Sequence, residues 1–133
     1  MTLDHQILST KEQFMDFFKN YPAGEPVVMV NILKFKEQSV NGEESGRAAY
    51  SRYSKNVAPL LEKVGGKVLW SGNVKNTVIG DATDKADMVL IVQYPSSQHF
   101  MDMATSEEYK KISHDRENAL QYGGLWASTT VNM

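Results

Sequence analysis

Two segments of this chain, PVVMVNILKFK at 26–36 and ADMVLIVQY at 86–94, are dense in aliphatic and β-branched residues at odd and even positions alike. A β-strand sends successive side chains to opposite faces. In the first segment Val27, Met29, Leu33 and Phe35 therefore share one face, and Val28, Val30 and Ile32 share the other. In the second, Met88, Leu90 and Val92 alternate with Val89 and Ile91. A sheet built from such strands must be covered twice, because an exposed apolar patch of roughly several hundred Å² is rare on a soluble monomer. The chain's own helices can cover one face, and a second sheet is needed for the other.

The surrounding residues order the remaining elements. Ser9 and Thr10 precede Glu12 and Gln13 at capping-box spacing, and Phe14, Phe17, Phe18 and Tyr21 recur at helical intervals, which predicts a short amphipathic helix ending before Pro22. After turn residues 23–26, Val27 to Phe35 reads as the first strand. The polar stretch KEQSVNGEESG is a loop, with a turn at Asn41-Gly42 and enough length to act as a lid. Tyr50, Tyr53, Val57, Leu60, Leu61 and Val64 predict a long helix stopped by Gly65-Gly66, with Pro59 expected to kink or divide it. KVLWSGNV and TVIG read as a second strand interrupted near 72–76, and ADMVLIVQY as a third closed by Pro95. Ser96 and Ser97 can cap a helix carrying Phe100 and Met101. Thr105 with Glu108 forms a capping box for another, with Tyr109, Ile112, Ala119 and Leu120 on one side and a stop at Gly123-Gly124. LWASTTV is the last strand.

This is the split βαβ order of a ferredoxin-like α+β fold, βαββαβ, in which helices cover one face of a four-stranded antiparallel sheet. At 133 residues one domain is expected, divided into an N-terminal helical extension, 1–25, and a ferredoxin-like domain, 26–133. Lys and Arg number 14 against 16 Asp and Glu, a net charge of -2, which argues against a nucleic-acid partner. No basic start leads into an apolar run and no run is long enough for a bilayer, so a cytoplasmic protein without membrane contact is expected. With no cysteine, the chain can form neither disulfides nor thiolate nucleophiles nor Cys-ligated metal sites.

The pieces PVVMVNILKF, AAYSRY, PLLEKVGGKVLWSG, ADMVLIVQYPSSQHF and TSEEYKKISHDRENAL, in that order, resemble the family called domain of unknown function 1330, within the dimeric α+β barrel superfamily. The resemblance runs from about Pro26 to Val131. It implies a homodimer whose sheets form a barrel, with a pocket in each subunit between sheet and helices. Wider relatives include cofactor-free quinone monooxygenases, haem-degrading monooxygenases, lactone isomerases and chlorite dismutases. These chemistries differ, so the resemblance carries over no reaction. The helix at 9–21 is an addition to the family pattern, available to shield a pocket mouth or extend the dimer contact.

Six residues stand out as candidates for a pocket. Asn31 places a carboxamide inside an apolar strand, where it needs partners from a pocket, a loop or water. Tyr50 and Tyr53 face the sheet with Val57, and their hydroxyls could orient a ligand, although such a stripe also serves as core. Trp70 could form a pocket wall. Arg116 lies in the middle of the stripe 109, 112, 116, 119, 120, where a guanidinium needs an anion: a substrate oxyanion, or an internal carboxylate such as Asp87. His114 lies off that stripe and reads as a surface residue before a general base. His5, His99 and His114 are scattered without metal-ligand spacing, so no metal and no cofactor is expected; a haem-binding protein is an alternative, since one axial His would suffice. The leading expectation is a small-molecule-binding homodimer, a cofactor-independent monooxygenase or isomerase acting on a small aromatic or enolisable compound. The alternative of another class is a non-catalytic binding or interaction module.

Overall fold

A computed structural model describes residues 6–40 and 42–132, so His5 and the Asn41 half of the expected turn lie outside the described residues. The elements are α1 (Lys11–Asn20), β1 (Val27–Phe35), α2 (Gly46–Lys63), β2 (Lys67–Asn73), β3 (Met88–Tyr94), α3 (Ser97–Ala104), α4 (Glu107–Ala119) and β4 (Leu120–Ser128). The four strands form one antiparallel sheet in the order β2-β3-β1-β4, the ferredoxin-like α+β arrangement. No helix among the described residues is long and apolar enough to cross a membrane.

The sheet's inner face carries Val27, Met29, Leu33, Val92 and Tyr94, all buried beneath the helices. Tyr50 and Tyr53 of α2 and Ala119 and Leu120 from the α4–β4 junction complete this core. On the outer face, cross-strand neighbours Trp70, Ile91, Val30 and Trp126 make one apolar row spanning all four strands. The next row is Gly72, Val89, Ile32 and Gly124. Side chains of Trp70 and Tyr122 lie over the two glycines, whose missing Cβ atoms leave room for the rings. Trp70 and Trp126 are 56% and 59% exposed, so the chain's own elements leave this band uncovered.

Several local expectations change. Pro59 lies inside an undivided α2: it is exposed, and the Lys55 carbonyl it cannot serve is on the same solvated side. TVIG forms no strand; β2 ends at Asn73, and Val78 and Ile79 project from the 74–87 loop, 91% and 95% exposed. Ser106 rather than Thr105 caps α4, accepting from Tyr109 N, while the Thr105 hydroxyl donates to the Met101 carbonyl at 2.7 Å. Gly123-Gly124 does not stop α4 but sits inside β4, because Leu120 already adopts extended backbone.

The described residues of the 36–45 loop are bound down against the end of α4 and do not line the large cavity between sheet and helices, unlike the lid its length suggested. Lys36 N donates to Ala119 O at 2.9 Å and Ser39 N to Glu44 O at 2.8 Å. Gly46, at the start of α2, sits so close to this junction that a Cβ would run into the carbonyl oxygens of Lys36 and Ala119. Arg52 clamps the same region. Its Nε and Nη2 donate to the two oxygens of buried Asp115, each at 3.0 Å, and its Nη1 donates to Glu44 at 3.0 Å. Hydrogen bonds from Arg52 hold both carboxyls below the usual carboxylate range.

Two outcomes follow from this junction. Gly46→Ala should destabilise the fold by at least about 2 kcal/mol in denaturant unfolding, since main chain on both sides cannot give way. Because the folded-state pKa values of Asp115 and Glu44 are depressed, their stabilisation is present above about pH 4 and lost as pH falls through the folded values. Thermal midpoints should therefore drop on acidification below that range, with a shallower drop in Arg52→Gln; an identical acid limb in the two proteins would rule the clamp out as its source.

Candidate functional site

The inner face of the sheet and the helices above it do not meet everywhere. Between β1, β3 and β4 below, α2 and α4 above, and α1 and α3 at the side lies a cavity of about 1100 Å³. This is at the upper end of small-molecule sites, roughly 300–1,000 Å³. Its apolar walls include Met29, Leu90, Val92, Val57, Phe17 and Phe100. The capping box of Thr10 with Gln13 starts α1, and Phe17 meets Phe100 edge-on with ring centroids 5.8 Å apart, which sets that helix against the opening. The Tyr21 hydroxyl, 2.8 Å from the Pro26 carbonyl and 3.1 Å from that of Ser128, ties its end to the sheet edge.

Asn31 faces this cavity from the middle of β1, between Leu90 and Leu125. Its Nδ2 donates to Leu90 O at 3.1 Å and Met29 O at 3.4 Å, and its amide oxygen makes no hydrogen bond among the described residues. Tyr50 and Tyr53 enter from successive turns of α2. The Tyr53 and Tyr109 hydroxyls are 2.8 Å apart and hydrogen-bonded. The Tyr50 side chain is only 4% exposed; its hydroxyl makes no protein hydrogen bond among the described residues and borders the cavity rather than being sealed in the core, since no fully buried side-chain nitrogen or oxygen among those residues lacks a partner. Burial pushes Tyr50 up to about 12, against the opposing charge of Arg116. Burial, reinforced by Tyr109, raises Tyr53 well above the ordinary phenol value, and burial also raises Tyr94. At neutral pH these phenols are hydrogen-bond donors, not bases.

Arg116 reaches the cavity from the last turn of α4. Its partners are main-chain carbonyls: Nη1 donates to Ile7 O at 2.8 Å and Nη2 to Gly123 O at 3.3 Å. The expected pairing with Asp87 does not occur, because Asp87 is spent on the end of β1, accepting from Phe35 N at 2.8 Å. No ion pair links Arg116 to a carboxylate among the described residues. Gly123 makes the arrangement possible, for its Cβ would lie 2.8 Å from Arg116 Nη2.

Four of the six candidates, Asn31, Tyr50, Tyr53 and Arg116, thus come together in one cavity. Trp70 does not join them. A bulge between Val68 and Trp70 places one extra residue in β2, which turns Trp70 to the outer face opposite Ile91. His114 is also elsewhere, exposed on α4 with Nε2 3.8 Å from Asp115 Oδ1. Tyr94 and Tyr109 were missed as site residues. Tyr94 shares parity with Leu90 and Val92, and Tyr109 lies seven residues before Arg116 on the same stripe, so both signals were present.

Residues 43–126 match the family described as Domain of unknown function (DUF1330). The chain belongs to this family. Among solved structures, the chain is similar to a protein of unknown function from Rhodopseudomonas palustris, 30% identical over 96% of this chain and 98% of that one, with a TM-score of 0.89. A dimeric protein of unknown function and ferredoxin-like fold from Bacteroides fragilis covers 83% of this chain and all of its own length (100%) at 12% identity and TM-score 0.54. SnoaB, a cofactor-independent oxygenase from Streptomyces nogalater, covers 82% of this chain and 96% of its own at 10% identity and TM-score 0.53. At such identities the last two share the fold alone. No curated protein matches the sequence.

The phenol cluster has a direct spectroscopic test. In a near-ultraviolet titration Tyr50, Tyr53 and Tyr94 should stay protonated until about pH 12 or until alkaline unfolding, and Tyr50→Phe should remove amplitude only from that late limb. Loss of amplitude near pH 10 instead would show Tyr50 to be open to water.

Proposed function

We propose that this protein is a small-molecule-binding homodimer, with the cavity as the ligand site of each subunit, and that it carries out a cofactor-independent oxidation or isomerisation of a small aromatic or enolisable compound. The supporting observation is the cavity's division of labour: an apolar body between sheet and helices, with Asn31, Tyr50 and Arg116 presenting uncommitted polar groups into it. Arg116 and Tyr50 would stabilise an enolate or phenolate oxygen, and the protonated phenols would return a proton to the product. The fold shared with a cofactor-independent oxygenase is compatible with that chemistry. Residues 1–25 serve as a cover added to a domain of residues 26–133. We place the protein in the cytoplasm.

The dimer is supported by the outer face. The band containing Trp70, Ile91, Val30 and Trp126 is bounded on one side by a mostly polar row, Lys67, Gln93 and Ser128 with Val28 among them. A flat, apolar, twisted face of this kind packs best against a copy of itself, sheet on sheet. The match to a dimeric protein of the same fold points the same way.

One observation also favours a non-catalytic carrier of the same ligand. Among the described residues no imidazole lines the cavity, and its carboxylate, Asp16, lies on exposed α1 and accepts from Asn20 at 2.7 Å.

Native mass spectrometry of freshly purified protein is the test. A dimer retaining a non-covalent small molecule is expected, and Ile91→Glu, which puts a charge in the centre of the outer row, should shift the protein to monomer. A wild-type monomer would overturn the sheet-to-sheet pairing.

A further inference from the structure

We infer that the ligand of this cavity is a monocarboxylate with an apolar or aromatic body, its carboxylate seated on Arg116 and the Tyr50 hydroxyl; this rests on the cavity being the ligand site. A guanidinium has five N–H donors in a planar fork. Arg116 commits two of them, to Ile7 O and Gly123 O, and leaves three without a protein acceptor among the described residues. Main-chain carbonyls solvate a cation but do not neutralise it. Two nearby acids are engaged elsewhere: Asp115 accepts from Arg52, and Asp87 from Phe35 N.

The remaining donor is Tyr50, which packs with Leu33 and Leu120 in the core beneath α4. Leu33 pairs across the sheet with Gly123, the residue whose missing Cβ seats the guanidinium. The Tyr50 hydroxyl borders the cavity and makes no protein hydrogen bond among the described residues, so it is free to donate to a molecule held there. Parallel N–H donors of a guanidinium match the two oxygens of a carboxylate, which keeps lone pairs to accept from a phenol.

Charge and volume narrow the class further. Arg116 is the only Lys or Arg among the described residues lining the cavity, and Asp16 stands at its α1 wall. One positive charge suits a single negative one, so phosphate esters and dicarboxylates are poorly served. The rest of the wall, from Met29 and Val92 to Phe17 and Phe100, is apolar and takes the ligand's body.

Matched probes test the assignment: naphthalene-2-carboxylate against naphthalene-2-carboxamide, and octanoate against octanamide, titrated into the whole protein by calorimetry. The carboxylate of a pair should bind about tenfold or more tighter than its amide. Arg116→Met should abolish that preference, lowering carboxylate affinity about tenfold or more and amide affinity far less. Tyr50→Phe, which removes only a hydroxyl, should lower carboxylate affinity several-fold and spare the amide, and it keeps the test decisive if Arg116→Met does not fold. Equal affinity for acid and amide in the wild type would overturn the anion assignment and leave the ligand site standing. If no probe bound at all, the cavity itself would fail as a ligand site, and this inference with it.

Discussion

Burial of the two central strands is the constraint on which the rest of this structure depends. β1 and β3 are apolar on both sides, so neither can lie at an edge or face water. The sheet order β2-β3-β1-β4 places them side by side in the middle and gives the edges to β2 and β4, which carry the glycines, the bulge and the exposed tryptophans. Helices from the two crossovers then cover one face. The other face keeps a continuous apolar band, and the free energy of covering it, roughly 25 cal/mol per Å² of apolar area removed from water, is available to a second subunit.

The covered face is where packing yields to function. The helices α2 and α4 meet closely near Leu33, Ala49, Ala119 and Leu120, all fully buried, and Arg52 with Asp115 holds this end shut. Toward α1 and α3 the layers part and the cavity opens. Polar groups set into that space cost free energy when unpaired. Asn31 and Tyr53 settle part of the cost internally, with β-strand carbonyls and with Tyr109. Arg116 settles part of it with the carbonyls of Ile7 and Gly123, while the Tyr50 hydroxyl makes no protein hydrogen bond among the described residues and borders the cavity.

How far this was legible in the sequence differs by element. Val27–Phe35 was readable to the residue, since turn chemistry before it and a polar loop after it leave no other limits for a β-branched run. The first glycine pair terminates α2, with Gly65 at φ 77, as its position after a helical stripe suggests. The second pair looks the same in sequence and does something else: Gly123 seats the Arg116 guanidinium and Gly124 lies under Tyr122, roles that exist only once β4 pairs with β1. Trp70 shows the same limit. Alternation along KVLWSG puts it on the face of Val68, but the extra residue of a bulge reverses the parity, and no local signal announces the bulge.

The sequence by itself determined the class of fold, the order of its elements and the need for two covers, because alternation and helical periodicity are local properties of the chain. It also marked Asn31, Tyr50, Tyr53 and Arg116 as polar groups on apolar faces. Tertiary structure alone decided that these four share one cavity, that Arg116 meets carbonyls rather than Asp87, and that Trp70 and His114 stand outside. Which side chains converge depends on register, a bulge and the placing of α1 beside the opening, and those are settled by contacts between residues far apart in the chain, 109 positions in the case of Arg116 and Ile7.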